Sequence, residues 1–127
     1  MKKAIALLLA LVMVFALCAC GGDKGTADNG EKVVKIGVFE PASGDSGAGG
    51  KKEMLGMQYA NQETPTVEIG GETYKVELVY SDNGSDSAKA VSAASKLVNE
   101  KVSIVLGSYG SGVSIAASDT FKQAGIP

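Results

Sequence analysis

The segment Val102–Ala117 is the feature of the sequence that most constrains the fold. It opens with a short apolar run, Val102–Leu106, which is typical of a buried strand. The run stops at Gly107, a turn of mostly small residues follows from Ser108 to Gly112, and a helical pattern begins near Val113. In open α/β sheets, ligands bind beyond the carboxyl ends of the strands, where such turns lie. Because the first N–H groups of a helix lack partners and suit an anion, we predict half of a small-molecule binding site at this turn.

Two further strand and helix pairs precede this segment. The predicted strands are Val33–Phe39, Tyr74–Tyr80 and Val102–Leu106, and the predicted helices are Lys51–Gln62, Ser87–Glu100 and 112–124. A small hairpin turn is also predicted at Gly70-Gly71. The order β-α-β-α-β-α with apolar strands predicts an α/β fold, a parallel sheet with helices on both faces.

A glycine-rich loop, residues 42–52, follows the first predicted strand but fits no nucleotide-binding motif. A P-loop requires glycine at the position of Asp45 and a hydroxyl residue at the position of Lys52, so this motif is absent. A dinucleotide-binding motif that starts at Gly47 requires a small residue at position 52, where Lys52 stands. We interpret the loop as a flexible rim with the hydroxyls of Ser43 and Ser46, able to approach a small polar ligand.

Composition excludes several classes of function. The net charge is −2, and the sequence has neither His nor Arg, which argues against nucleic-acid binding. The lack of His also removes the commonest general base and the commonest zinc ligand. Both cysteines, Cys18 and Cys20, precede the predicted folded part, so we expect no disulfide, metal site or cofactor there.

The amino-terminal residues 1–19 have the pattern of a secretory signal peptide, with Lys2 and Lys3 before an apolar run. Leu17-Cys18-Ala19-Cys20 resembles the bacterial lipobox, which implies cleavage before Cys20 and a lipid on its sulfur. An ordinary secretory signal cut nearby is the alternative. Residues 20–32 are polar and are predicted to form a flexible tether.

An ordered set of motifs resembles the N-terminal lobe of branched-chain amino acid binding proteins, extracytoplasmic receptors of the type I periplasmic-binding-protein family. The motifs are the lipobox, Pro41-Ala42-Ser43-Gly44, Tyr80-Ser81-Asp82-Asn83 and the Gly107–Ser111 turn. The resemblance implies that residues 33–127 form an incomplete N-terminal lobe of a leucine-binding-protein-like domain. Members of this family have two lobes and enclose the ligand between them.

The resemblance also implies ligand-binding residues. Ser111 matches the serine whose hydroxyl and backbone meet the ligand's α-carboxylate, and Ser108, Tyr109 and Gly110 lie beside it in the same turn. Ser43 matches the loop at the mouth of the cleft. The resemblance implies that the acidic group that pairs with the ligand's ammonium belongs to the second lobe, which has no counterpart in this chain.

These features predict a lipoprotein that captures an amino acid, branched-chain by resemblance, or a similar small solute, and delivers it to the membrane subunits of an ABC importer. We expect it to be a non-enzyme on the extracytoplasmic side of the membrane. Two alternatives remain open, a solute-sensing lobe of a signalling receptor and a surface α/β enzyme. Against an enzyme, Ser108 and Ser111 have no histidine base.

Since Gly125-Ile126-Pro127 is typical of a loop before another strand, we expect a piece of a longer protein or a truncated reading frame.

The lipobox predicts that Cys20→Ser abolishes membrane anchoring. Serine has no thiol to acylate, so the variant should leave the detergent phase in a phase-partitioning experiment or remain unprocessed. Cys18→Ser is the matched control and should stay in the detergent phase. Equal retention of the Cys20→Ser variant would contradict the lipobox interpretation.

Overall fold

The computed structural model describes residues 30–127. The predicted signal peptide, Cys20 and the tether up to residue 29 lie outside the described residues. The strands are β1 (Val33–Phe39), β2 (Thr66–Ile69), β3 (Glu72–Tyr80) and β4 (Ile104–Gly107), and the helices are α1 (Gly47–Glu63), α2 (Ser87–Asn99) and α3 (Ser111–Ala124). Within residues 30–127, no helix combines the length and the apolar character needed to cross a membrane.

The four strands form one sheet in the order β2-β3-β1-β4. Strand β1 is central and pairs in parallel with β3 and β4, so that Ile36 lies beside both Leu78 and Ile104. The predicted parallel α/β sheet is therefore confirmed. The hairpin at Gly70-Gly71 adds β2 as an antiparallel edge strand, which makes the sheet mixed.

The hydrophobic core lies between one face of the sheet and the layer formed by α2 and α3. Leu97 of α2 is fully buried. A Cβ added at Gly37 would lie 3.0 Å from Val105 Cγ2 and 3.2 Å from Leu97 Cδ1, so this glycine lets α2 approach the central strand closely. The core residues are Phe39, Ala90, Ala93, Ala94, Leu97, Val102, Val113 and Ala117. Short alanine side chains allow α2 and α3 to pack close together, as the helical spacing predicts.

Helix α1 covers the opposite face of the sheet and differs from the prediction. It begins at Gly47 rather than Lys51, so the predicted flexible rim is wrong from residue 47 onward. The reason is close packing, since Gly47 and Gly50 are buried. Two of the large apolar side chains of this helix, Leu55 and Tyr59, are 63% and 65% exposed and contribute little to the core. Glycines, which carry no hydrophobic signal, supply the buried positions of this helix.

The close packing of α1 predicts that Gly50→Ala destabilises the protein. A Cβ at this position would lie 2.7 Å from Cδ of Pro41 and still closer to the Pro41 carbonyl oxygen. Overpacking of this kind costs about 1–3 kcal/mol. In Gly56→Ala, the control on the same helix, the added methyl group meets no atom within 4 Å and should stabilise the helix by up to about 1 kcal/mol. Chemical denaturation measures both free energies of unfolding, and equal values would contradict the packing described here.

Candidate functional site

The buried side chain of Asn83 joins the loops that follow β1, β3 and β4. Its Nδ2 donates to the carbonyl oxygens of Phe39 (3.0 Å) and Ser108 (3.3 Å), and its Oδ1 accepts from the N–H of Ser85 (2.9 Å). The amide is fully buried, and each of its polar atoms has a partner. These bonds hold the carboxyl ends of the three parallel strands together, at the edge of the sheet where ligands bind in such folds.

The carboxylate of Asp82 fixes the loop after β1. It accepts hydrogen bonds from the N–H groups of Ala42 and Gly84, both at 2.8 Å, and from the hydroxyl of Ser43 at 2.7 Å. Burial alone would raise the pKa of Asp82, but the hydrogen bonds from Ser43, Gly84 and Ala42 outweigh it and lower the pKa. This carboxylate is therefore a structural anion that stays charged near neutral pH.

A polar cleft of about 420 Å³ opens beside the turn after β4. Its lining consists of Glu40, Glu53, Met57, Gly107, Ser108, Tyr109, Gly110, Ser111 and Ser114. The structure therefore brings four of the sequence-predicted site residues, 108–111, to one cavity. Ser43 lies outside this lining, and its hydroxyl is bonded to Asp82, so its contact with a ligand stays a prediction.

The amino terminus of α3 forms one wall of the cleft. The helix begins at Ser111 after the N-cap Gly110, and no side chain caps it. Helices leave their first N–H groups without intrahelical partners, so these donors and the hydroxyl of the exposed Ser111 are available to an anion.

Ser108 stabilises the turn that precedes α3. Its buried hydroxyl donates to the Gly110 carbonyl oxygen at 3.0 Å and lies 2.7 Å from the hydroxyl of Ser114. We infer that Ser108 shapes the turn, while Ser111 is the serine that faces the cleft.

Tyr109 closes the side of the cleft nearest to α1. Its backbone is left-handed, with a φ of 66°, which is uncommon for a residue with a side chain. The ring packs on the backbone of Gly49, where an added Cβ would lie 2.7 Å from Cε2 of Tyr109. The glycines at the start of α1 thus make room for this aromatic ring.

The cleft lining also includes two carboxyl groups that the sequence analysis did not select. Glu40 directly follows β1 and is only 1% exposed, whereas Glu53 of α1 is exposed. Among the described residues, Oε2 of Glu40 has no hydrogen-bond partner. Burial, the negative charge of Glu53 and a hydrogen bond shared with Glu53 raise the pKa of Glu40 from 4.5 to about 7. An acid at the carboxyl end of an apolar strand was the signal in the sequence that could have identified Glu40.

The sequence profile of a family described as periplasmic binding protein matches residues 33–127. The chain belongs to this family. One relative, the Leu/Ile/Val-binding protein homolog 2 of Brucella abortus, is 33% identical over 115 residues. The match covers 91% of this chain and 29% of that relative, so the chain spans less than a third of the relative's length.

Solved structures of periplasmic binding proteins share the fold described above. The leucine binding protein LivK of Thermotoga maritima superposes with a TM-score of 0.67 at 35% identity, covering 75% of this chain and 26% of LivK. The branched-chain amino acid transporter substrate-binding protein LivJ of Streptococcus pneumoniae, in complex with isoleucine, gives 0.66 at 35% identity, covering 76% and 28%. The predicted fold, part of the N-terminal lobe of a type I periplasmic binding protein, is confirmed.

The raised pKa of Glu40 predicts a pH dependence of stability. Below pH 4.5 the carboxyl is protonated in both the folded and the unfolded chain, and its contribution to stability is fully present. Between pH 4.5 and about 7, the Glu40 carboxyl ionises in the unfolded chain but stays largely protonated in the folded chain. The stabilising contribution of the protonated Glu40 to the free energy of unfolding is therefore progressively lost. Chemical denaturation at about pH 5 and about pH 8 should show a smaller loss of stability in Glu40→Gln than in the wild type.

Glu63→Gln is the control for this prediction, because Glu63 is exposed at the far end of α1 and does not line the cleft. It should retain the pH dependence of the wild type. If Glu40→Gln also retains it, the ionisation of Glu40 is not linked to folding as described.

Proposed function

We propose that this chain forms the ligand-holding wall of an extracytoplasmic solute-binding protein, which captures an amino acid with a branched side chain and delivers it to an ABC importer. The observation that carries this proposal is the uncapped amino terminus of α3 with Ser111 at its first position, open to a polar cleft. The proposed role is binding without catalysis.

A carboxylate is the ligand group that best fits this wall. The free N–H groups of the first turn of α3 point along the helix axis, and the positive end of the helix dipole adds to their attraction for an anion. The hydroxyl of Ser111 supplies a further donor at the same end of the helix. The α-carboxylate of an amino acid can therefore receive several hydrogen bonds from this turn.

The similar proteins support an amino acid as the ligand. The Brucella relative is named for leucine, isoleucine and valine, LivK for leucine, and LivJ was solved with isoleucine. Because the chain covers only 26–29% of these proteins, the selection of the ligand's side chain and delivery to importer subunits are part of the proposal.

Attachment to the membrane is a further part of the proposal. The lipobox-like sequence ending at Cys20 would place a lipid at the amino terminus of the mature chain, and the polar residues 20–32 would connect it to the folded part. A tethered receptor stays close to the importer that it supplies.

Ser111→Ala should weaken the binding of L-leucine and L-isoleucine by roughly ten- to a hundredfold. A hydrogen bond to a charged group contributes about 1.5–3 kcal/mol, and each 1.4 kcal/mol is a factor of ten in affinity. Thermal stability should change little, because this hydroxyl faces the cleft rather than the core. The measurement is titration calorimetry on protein purified from the complete reading frame.

Ser118→Ala is the matched control for Ser111→Ala. Ser118 lies on the same helix, away from the cleft, and its hydroxyl donates to the carbonyl oxygen of Ile115 at 2.8 Å. Ser114 is unsuitable because it lines the cleft beside Ser108. If Ser111→Ala binds both amino acids as tightly as Ser118→Ala does, the carboxylate is not held by Ser111.

A further inference from the structure

A second cavity adjoins the polar cleft, in the space between α1 and the sheet. It has a volume of about 360 Å³. Gly107 lines the polar cleft, and Leu106, the residue directly before it in β4, lines the second cavity. The sheet side of the second cavity is formed by the apolar side chains of Ile36, Val76, Leu78 and Leu106, and we call this cavity the apolar groove. The cleft and the apolar groove are thus neighbours at the end of β4.

Met57 of α1 lies at the boundary between the two cavities. Glu53, Met57 and Asn61 follow one another at intervals of four residues, which places them in one row along the helix. Of these two cavities, Glu53 lines only the cleft and Asn61 lines only the apolar groove, whereas Met57 lines both. The cleft and the groove therefore lie end to end along α1, with Met57 between them.

Met57 is also the aliphatic contact that this part of the protein offers to a ligand. Among the described residues that line the cleft, it has the only aliphatic side chain, and the other large apolar group is the ring of Tyr109. A methionine side chain is flexible and fills irregular spaces between other groups. A hydrocarbon group that enters the cleft on the side of α1 therefore meets Met57.

We propose that Met57 limits the length of the ligand's apolar side chain, because it separates the cleft from the apolar groove. The inference rests on the proposed function, in which the carboxylate of the ligand lies at the start of α3, and it names a residue that selects the ligand. A side chain of the size of leucine ends against Met57. A longer unbranched side chain has to displace Met57 to reach the groove.

Shortening Met57 should join the cleft and the apolar groove. The groove then offers an apolar surface that includes Leu78 and Leu106 to the end of a longer side chain. Each methylene group that is transferred from water to such a surface increases the affinity about fourfold. The hexyl side chain of L-2-aminooctanoate has two more carbon atoms than the side chain of leucine, so it should gain about tenfold in affinity from this surface.

The test is titration calorimetry of L-leucine and L-2-aminooctanoate with protein from the complete reading frame. The wild type should bind leucine more tightly by roughly tenfold or more, because the longer chain overpacks the cleft against Met57. Met57→Ala should bind L-2-aminooctanoate about tenfold more tightly than the wild type does, and leucine about three- to tenfold more weakly, since leucine loses an apolar contact. The preference between the two amino acids is thereby abolished or reversed.

Two variants control for a merely structural effect. Met57→Leu keeps a large apolar side chain at the boundary and should retain the wild-type preference. Met54→Ala removes the same side chain from the same helix. Met54 is also half-buried but lines neither cavity, so this variant should retain the preference too. Circular dichroism confirms folding, and Met57→Val, which removes less volume, provides the test if Met57→Ala fails to fold.

The failure of the inference is distinguishable from the failure of the proposed function. If the wild type binds leucine but Met57→Ala has the same preference as Met54→Ala, Met57 does not limit the side chain and the proposed function stands. The same conclusion follows if the wild type binds both amino acids equally well. If neither amino acid binds the wild type, the proposed function is wrong, and the role of Met57 is rejected with it.

Discussion

The hydrogen bonds of Asn83 are the constraint on which the site depends. Asn83 lies in the loop after β3, and its side-chain amide donates to the carbonyl oxygen of Phe39, the last residue of β1, and to that of Ser108 in the turn after β4. Because the amide is fully buried, losing any of these bonds would leave a polar group without water or a partner, which costs about 1–3 kcal/mol. The Asn83 side chain therefore supports the relative position of Glu40 and the start of α3, together with the direct pairing of β1 and β4 at Phe39 and Gly107.

Much of this arrangement could be predicted from the sequence, because its signals are local. The apolar runs of β1, β3 and β4 and the helical spacing in α2 and α3 predict these elements within a few residues. The Asp86 side chain caps α2 by accepting from the N–H of Ala88 at 2.7 Å, and Asp directly before a helical pattern is a local signal for such a cap. The turn at residues 107–111 was identifiable because small residues between a strand and a helix mark the ligand-binding edge of a parallel sheet.

The rest could not be predicted because it depends on tertiary contact. Gly50 is one of the buried residues of helix α1, and because glycine has no apolar side chain, it does not contribute to the hydrophobic periodicity by which a helix is recognised in a sequence. Glu40 and Glu53 belong to different elements, and only the packing of α1 against the loop after β1 brings them to one wall. Ser43 matched a ligand-contact position by resemblance, but the sequence does not show that Asp82 engages its hydroxyl.

Two acidic side chains near this edge of the sheet show how the environment of a carboxyl group sets its pKa. Asp82 accepts bonds from Ala42, Ser43 and Gly84, and its pKa is lowered. Glu40 is more deeply buried, has an oxygen without a partner and has a raised pKa. Both carboxylate oxygens of Asp82 accept hydrogen bonds, whereas Oε2 of Glu40 has no donor among the described residues. A carboxyl group that lacks donors in a buried position favours its neutral form, whereas a carboxylate that accepts several hydrogen bonds favours its charged form.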